Sequence, residues 1–346
     1  MATRVALALD ELRQTIATAD AVLPTGARTH WEVGNPPGDG VVVRVPAGVV
    51  AYDPAELTVT VGAGTSVGDL AAVLADAGQE CPLDPRSAAA TVGGTIATGL
   101  SGPRRLRHGP LRDRVLEVRF VTADGRLVKG GGPTVKNVTG YDIPRLLVGS
   151  FGTIGVLVQV TLRCQPRPRH ARWAVTDADP FETRRRLFRP SCVVWDGRTT
   201  RVLLEGNDDD IAAEAAAAEL ELGEAAEPRW PDGVHRGRVS VRPSRLGELG
   251  AALDGVDGPR WLAEIGVGTV HVAGDSPDAL VAARQVSVAH EGWLLRESGA
   301  PGVDGYGAPP PNLAILERIR GAFDPTGKLA PGRLPIAPAP SSSTAA

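Results

Sequence analysis

Helical and extended patterning alternate along the chain. In residues 5–19, Leu7, Leu9, Leu12 and Ile16 are spaced as the apolar stripe of a short helix. Residues 21–23 read as a brief strand running into Pro24-Thr25-Gly26. Residues 41–45 are β-branched and extended, and residues 57–61 repeat that pattern before Gly62-Ala63-Gly64. Residues 67–78 return to a helical period, with Val67, Leu70, Ala71 and Leu74 on one face and Gly78 as the C-cap. A strand over 115–122, a turn at Asp124-Gly125 and a return strand over 127–129 predict a hairpin. A short helix over 145–148 and a strand over 156–163 follow. The prolines of Gln165-Pro166-Arg167-Pro168-Arg169 then mark a linker. From about Arg172 the composition changes. An alanine-rich helix over 211–222, a final helix over 312–322 and a disordered Pro/Ser/Ala tail over 335–346 complete the pattern. No internal repeat is visible.

Composition narrows the function classes. A chain of 346 residues buries a substantial core, as one large domain or two lobes. The net charge of −3 and the aromatic content of 4% give no basis for nucleic-acid binding. Charge is unevenly spread, however. Residues 99–150 hold ten basic and four acidic side chains, whereas residues 205–232 hold ten acidic and one basic. Cys81, Cys164 and Cys192 lie far apart with no CxxC or Cys/His cluster, so no metal site is expected and a reducing, cytoplasmic compartment fits. Residues 1–10 are too short and too charged for a signal peptide, and no run of about 18 apolar residues is long enough to cross a membrane. Membrane contact is expected only through partners, at the inner membrane.

Three segments carry the candidate chemistry. The first, uncharged from residue 87 to 101, contains Thr91-Val92-Gly93-Gly94-Thr95-Ile96-Ala97-Thr98-Gly99 and continues through Ser101-Gly102-Pro103-Arg104-Arg105. Closely placed glycines let backbone N–H groups approach phosphate oxygens, with hydroxyls and Arg104, Arg105 and Arg107 beside them. It has neither the GxGxxG of a Rossmann site nor the GxxxxGK[ST] of a P-loop. The second, Arg107-His108-Gly109-Pro110-Leu111-Arg112-Asp113-Arg114, is a charged turn entering a strand. The third joins Lys136-Asn137-Val138-Thr139-Gly140-Tyr141-Asp142 to a turn at Gly149-Ser150-Phe151-Gly152-Thr153-Ile154-Gly155-Val156. Singly, each has a plain reading as a packed turn, a solvated loop or a capped helix.

In this order the three resemble the second half of the FAD-binding domain of the vanillyl-alcohol-oxidase and para-cresol-methylhydroxylase (PCMH) class. The pairing of Ser101-Gly102-Pro103-Arg104-Arg105 with Lys136-Asn137-x-x-Gly140-Tyr141-Asp142 is similar to the glycolate oxidase FAD-binding subunits. The close stretch covers about residues 40–165, and Phe323-Asp324-Pro325-Thr326-Gly327-Lys328-Leu329-Ala330-Pro331-Gly332-Arg333 resembles the class's C-terminal ending. The resemblance implies an α+β fold: a PCMH-type FAD-binding domain of two α+β subdomains over residues 1–165, and a smaller α+β cap over 172–320. A segment over 321–334 would return to the FAD domain ahead of the tail. It implies FAD as cofactor, a small hydroxy acid as substrate, and partnership with a larger FAD subunit and an Fe–S subunit. By position, Pro24, Thr25, Gly26, Ala27, Arg28 and Thr29 would form the first pyrophosphate loop. Thr91, Gly93, Gly94, Ala97, Ser101, Gly102, His108, Gly109 and Asp113 would line the flavin and its diphosphate, and Gly152, Gly155 and Val156 the adenine or ribitol side.

The chain departs from the class at two places. The first loop normally carries a run such as RGGGT, and here only Gly26 remains, so the grip on the diphosphate would lean on Arg28 and Thr29. His30, in the same loop, is either an exposed histidine or a covalent flavin attachment point, a role the class sometimes gives histidine. The larger glycolate and D-lactate enzymes carry GDGN-x-H in their cap. The nearest stretch here is Gly266-Val267-Gly268-Thr269-Val270-His271, where the histidine survives and Val267 and Thr269 stand at the Asp and Asn positions. Oxidation of a 2-hydroxy acid needs a base for the hydroxyl proton and a cation for the carboxylate. His271 is the candidate base, although its apolar alternation equally suits a buried strand. His290 and Arg296 are further cap candidates with no motif behind them. Three readings follow: a flavin subunit of a glycolate oxidase complex that oxidises glycolate to glyoxylate or relays its electrons, an independent FAD-linked oxidoreductase of another hydroxy acid or alcohol, and a non-catalytic assembly subunit.

Overall fold

The computed structural model describes residues 2–132, 141–223, 226–307 and 312–336. Residues 136–140 of the third motif and the tail from residue 337 lie outside them.

The chain opens with α1 (Ala2–Thr18), β1 (Val22–Pro24) and β2 (Val41–Val43), the two strands pairing in parallel. There follow β3 (Val49–Asp53), β4 (Thr58–Gly62), α2 (Val67–Ala75), β5 (Gln79–Glu80), α3 (Val92–Thr98), α4 (Arg105–His108), β6 (Val115–Val121), β7 (Leu127–Gly131), α5 (Ile143–Leu147) and β8 (Val156–Arg163). An antiparallel sheet in the order β3-β4-β8-β6-β7 carries two cores. Leu70 and Leu74 of α2 and Ile96 of α3 pack with Val59, Val160 and Leu162, while Leu12 and Ile16 of α1 cover Val121, Val156 and Val158.

The glycine run 93–99, expected as an open phosphate cradle, is instead mostly the helix α3. The Thr91 side chain caps it by accepting from the Gly94 N–H, and Gly99 ends it in the left-handed conformation at φ 68°. The Gly93 N–H is already spent on Ala63 O at 2.8 Å. Glycine is required there by packing: a Cβ at Gly93 would lie 2.8 Å from the Ala63 Cβ. The expected linker also has structure. β9 (Gln165–Pro166) pairs with β5, and the second lobe begins at β10 (His170–Thr176).

That second lobe contains α6 (Pro180–Arg186), β11 (Cys192–Trp195), β12 (Thr200–Gly206), α7 (Asp208–Ala217), β13 (Glu221–Leu222), β14 (His235–Ser240), α8 (Leu246–Asp254), β15 (Arg260–Glu264), β16 (Thr269–Gly274), α9 (Pro277–Ala289) and β17 (Trp293–Ser298). Its sheet has the order β13-β10-β12-β11-β15-β16-β14-β17, antiparallel throughout. Side chains alternate between its faces. Ala174, Val193, Val202, Val239, Ala263, Val270, Val272 and Leu294 pack under the helices with Leu249, Leu253 and Leu280. Their neighbours in each strand, among them Trp173, Leu203, Glu205, Arg236, Arg238, Glu264, His271 and Glu297, therefore belong to the opposite face.

An ion cluster joins the lobes. Arg104, beside α4, bonds Asp84 at 2.7 Å, Glu80 at 3.0 Å and Glu205 of β12 at 3.1 Å. Arg107 donates to Glu205 O at 2.8 Å, and the Ser191 hydroxyl donates to the Glu205 carboxylate at 2.6 Å. His108 Nε2 approaches the same carboxylate at 3.4 Å. The arginines expected beside a diphosphate thus divide otherwise, with Arg104 and Arg107 fastening the second lobe to the first. After the second sheet α10 (Leu313–Phe323) leads back to the first lobe, where Leu329 bridges Val22 in parallel.

Burial opposes ionisation of Glu205, but the bonds from His108 and Ser191 and the charge of Arg104 outweigh it and bring its pKa down to about 2. A depressed carboxylate stabilises the fold fully above its unfolded pKa, near about 4.3, and that stability disappears as pH falls through the folded value. We expect Glu205→Gln to cost about 3–5 kcal/mol at neutral pH. The variant should also lose less stability than the parent between about pH 4.5 and 2. Urea unfolding across this range measures both, and parallel slopes would refute the role of Glu205.

Candidate functional site

Two cavities meet at Thr29 and His30. The first, about 100 Å³, lies in the first lobe between the loop after β1, the exposed end of α3 and the turn after α5. Twelve predicted residues line it: Pro24, Thr25, Gly26, Ala27, Arg28, Thr29, Thr91, Gly93, Gly94, Ala97, Gly152 and Gly155. Their approach is close. A Cβ at Gly26 would sit 2.2 Å from Thr91 Oγ1, and Gly152, at φ 77°, would bring one to 3.2 Å from Pro24. The abbreviated loop lines the cavity with unbonded backbone N–H groups. The N–H groups of Gly26, Ala27 and Thr29 donate to no group among the described residues. Successive free N–H groups aimed at a cleft make a nest for an anion, whatever side chains they carry.

The other six predicted residues lie elsewhere. Val156 is fully buried in β8 against α1, so its side chain belongs to the core. Ser101 is buried, its hydroxyl accepting from the Leu111 N–H at 3.0 Å. Gly102 lines the second cavity. His108 belongs to the ion cluster between the lobes. Gly109, at φ 76°, and Asp113 form the turn after α4, with Arg145 bonded to Asp113 at 3.2 Å. The His108-Gly109-x-x-x-Asp113 segment therefore reflects the architecture of a turn, and none of these six touches the first cavity.

Sequence reading missed the residue that organises the first loop. Arg333, from the C-terminal segment, donates to Trp31 O at 2.6 Å and Asn35 O at 3.1 Å, and its guanidinium faces the Trp31 and Phe151 rings at 5.7 and 5.3 Å. It lines the cavity with both aromatics. The closing motif had been noticed as an ending; only the fold brings it across some 300 positions to the first loop.

The second cavity, about 760 Å³, opens between the lobes. Asp84, Arg86, Gly102 and Arg104 line it from the first lobe, and Trp173, Arg236, Arg238, His271 and Glu297 from the second sheet. His271 is 4% exposed. Its Nε2 lies 2.6 Å from the Glu264 carboxylate and its Nδ1 3.3 Å from Arg86 Nη2. A carboxylate only accepts and a guanidinium only donates, so Nε2 carries the proton and Nδ1 presents a lone pair. Trp230 meets the ring edge-on at 5.1 Å. Glu297 receives Arg238 at 2.9 Å and Arg86 at 3.3 Å. Burial opposes its ionisation, yet these two arginines hold its pKa down to about 2. His30 is partly buried rather than exposed, and burial lowers its pKa and keeps it neutral. The other cap candidates are structural. His290 caps α9, with Nδ1 on Val286 O, and Arg296 is buried against Gly34 O, Gly299 O and Ala300 O.

The first cavity thus lies beside α3, backed by an antiparallel sheet, and adjoins a cleft that faces a second sheet. Residues 7–131 match the family model of the FAD binding domain, and this part of the chain is an FAD-binding domain. Across 164 residues the chain is 40% identical to the glycolate oxidase subunit GlcE of Escherichia coli (strain K12), an overlap of 46% of this chain and 47% of that protein. It is 43% identical over 108 residues to a D-lactate dehydrogenase of Archaeoglobus fulgidus (31% of this chain, 24% of that one). To the glycolate oxidase subunit GlcD of Bacillus subtilis (strain 168) it is 33% identical over 151 residues (42% and 32%). The matched regions thus span less than half the length of these curated relatives. The fold likeness extends further: an alkyldihydroxyacetonephosphate synthase superposes with a TM-score of 0.65 at 13% identity, over 93% of this chain and 74% of that one. Among the described residues no helix is long and apolar enough to cross a membrane.

Arg333→Ala removes the bonds that close the first loop. It should cost about 2–4 kcal/mol in chemical unfolding, with Arg333→Lys recovering only part, since an ammonium cannot span two carbonyls and stack on two rings. A loss below about 0.5 kcal/mol would remove Arg333 from this role.

Proposed function

We propose that this chain is an FAD-dependent oxidoreductase acting on the CH–OH group of a 2-hydroxy acid. Within this reading it serves as the smaller flavin subunit of a glycolate-oxidising complex, beside a larger flavin subunit and an Fe–S subunit. Residues 1–165 act as the FAD-binding domain, 172–320 as the cap and 321–334 as the returning segment. Any membrane association of this cytoplasmic complex runs through its partners. The observation that carries the proposal is His271, its tautomer fixed by buried Glu264 and its Nδ1 lone pair turned toward Arg86 in an arginine-lined cavity that adjoins the first-lobe cleft.

The residues present fit FAD. The free N–H groups of Gly26, Ala27 and Thr29, with Arg28, would hold the diphosphate, and Gly94, Ala97, Gly152 and Gly155 would leave room for close approach of the cofactor. Bound FAD supplies an acceptor for the hydride that leaves the carbinol carbon. His271 Nδ1 takes the hydroxyl proton as the C=O bond forms, and Glu264 stabilises the imidazolium through its short bond to Nε2. The arginines of the cavity supply the positive field for the carboxylate and the developing oxyanion. The cap motif lost from Gly266-Val267-Gly268-Thr269-Val270-His271 therefore leaves its base in place.

A second reading, an independent single-chain oxidoreductase of another hydroxy acid, has one observation in its favour: base, arginines and anion nest all come from this chain. Turnover of glycolate or D-lactate by the purified chain with an artificial electron acceptor favours it, and turnover only after the partners are added favours the subunit.

The purified chain should show flavin absorbance bands or acquire them with added FAD. A colourless protein that takes up none would leave the assembly role. In the reconstituted chain, His271→Asn should slow flavin bleaching by a hydroxy acid by about 10²–10⁴-fold under anaerobic conditions. An unchanged rate would exclude His271 as the base.

A further inference from the structure

We propose that Arg86 and Arg236 form a subsite for a single carboxylate, closed between the two lobes, whose filling releases the lone pair of His271. This rests on the reading of the second cavity as a hydroxy-acid site.

The argument is one of charge and satisfaction. Four arginines line the cavity. Arg104 is consumed by Glu80, Asp84 and Glu205. Arg238 is locked, 13% exposed, between Glu297 at 2.9 Å and Ser101 O at 2.8 Å. Arg86 is held more loosely. Its contacts with Glu297 and His271 Nδ1 are both 3.3 Å long, and its side chain is 38% exposed. Arg236 has less still: Nη1 reaches Gly233 O at 3.2 Å, Asp232 stands 3.9 Å away and 94% exposed, and the buried Nε has no partner. Of the lining carboxylates, Asp84 is spent on Arg104 and Glu297 is shared by two guanidiniums. Glu227 is exposed and pairs with neither Arg86 nor Arg236 among the described residues. Glu264 faces His271, and His30 is neutral. With only exposed Asp232 and Glu227 besides Glu297 near them, Arg86 and Arg236 are the least satisfied cations of the cavity. Both line the same cavity, where burial, Arg238 and Arg236 disfavour the charge on Arg86 and Glu297 and Asp232 favour it. A single carboxylate relieves both, and a guanidinium fork suits it.

The coupling follows from what Arg86 does without the acid. Its N–H occupies the lone pair of His271 Nδ1. A carboxylate is a stronger acceptor than a neutral imidazole, so it draws the guanidinium away and leaves Nδ1 bare for the hydroxyl of the same molecule. The base is thus covered in the empty cavity and uncovered by its substrate. Because Arg86 sits in the first lobe and Arg236 on β14, the acid also ties the lobes together.

Calorimetric titration of the FAD-reconstituted full chain with glycolate, and with uncharged glycolamide of the same shape, tests the subsite. Glycolate should bind at least about tenfold more tightly than glycolamide, and Arg86→Gln and Arg236→Gln should each weaken glycolate by about tenfold or more. Arg86→Lys and Arg236→Lys, which keep the charge, should recover part of the loss, and flavin content reports that each variant is folded. The ¹⁵N resonance of His271 Nδ1 should shift on adding glycolate to the parent chain, and should already be shifted in Arg86→Gln before any acid is added. Equal binding of glycolamide and glycolate, or unchanged glycolate affinity in folded Gln variants that still bleach the flavin, would overturn the subsite and leave the oxidoreductase reading intact. If the chain neither binds nor is reduced by glycolate or D-lactate even with its partners added, both fall.

Discussion

Charge compensation across the cleft between the lobes is the constraint on which the site depends. The second sheet buries one face under helices and turns Glu205, Arg236, Arg238, Glu264, His271 and Glu297 away from them. Partly withdrawn from water, such groups are tolerated only where each finds a counter-charge. The first lobe supplies those partners through Arg86, Arg104, Arg107 and the Ser101 carbonyl. Docking and site assembly are therefore the same event. The pairs that hold the lobes in register also fix which arginines are locked and which remain free.

The first lobe was legible because its signals are local. Capping threonines, left-handed glycines and alternating strands specify their own neighbourhood, and the strand Val156–Arg163 was bounded correctly from its pattern alone. The PCMH-type α+β fold and FAD followed from ordered motifs that the family match and the fold likeness support. The function of individual residues within those motifs was less legible. Glycines read as phosphate ligands serve partly to pack α3 on Ala63, and arginines read as phosphate partners fasten the second lobe. Both are local patterns whose partners are set by tertiary structure.

The second lobe was harder to read for a physical reason. Its strands carry charged residues on the face turned away from the helices, so alternation there resembles solvent exposure. His271 illustrates the ambiguity: apolar neighbours suit a buried strand, and it is one, yet the same alternation aims the imidazole into the cleft. A structural and a chemical reading of this histidine need not compete, since burial against Glu264 fixes the ring while leaving it on the cleft.

The return of the C-terminal segment bears on how the molecule is made. The loop of Gly26, Ala27 and Thr29 is synthesised some 300 residues ahead of Arg333, which fastens it, and of Leu329, which bridges Val22. During synthesis the early loop waits unclosed while both sheets form. Closure of the loop then waits on residues made much later, and truncation just ahead of residue 328 would undo a loop encoded some 300 codons earlier.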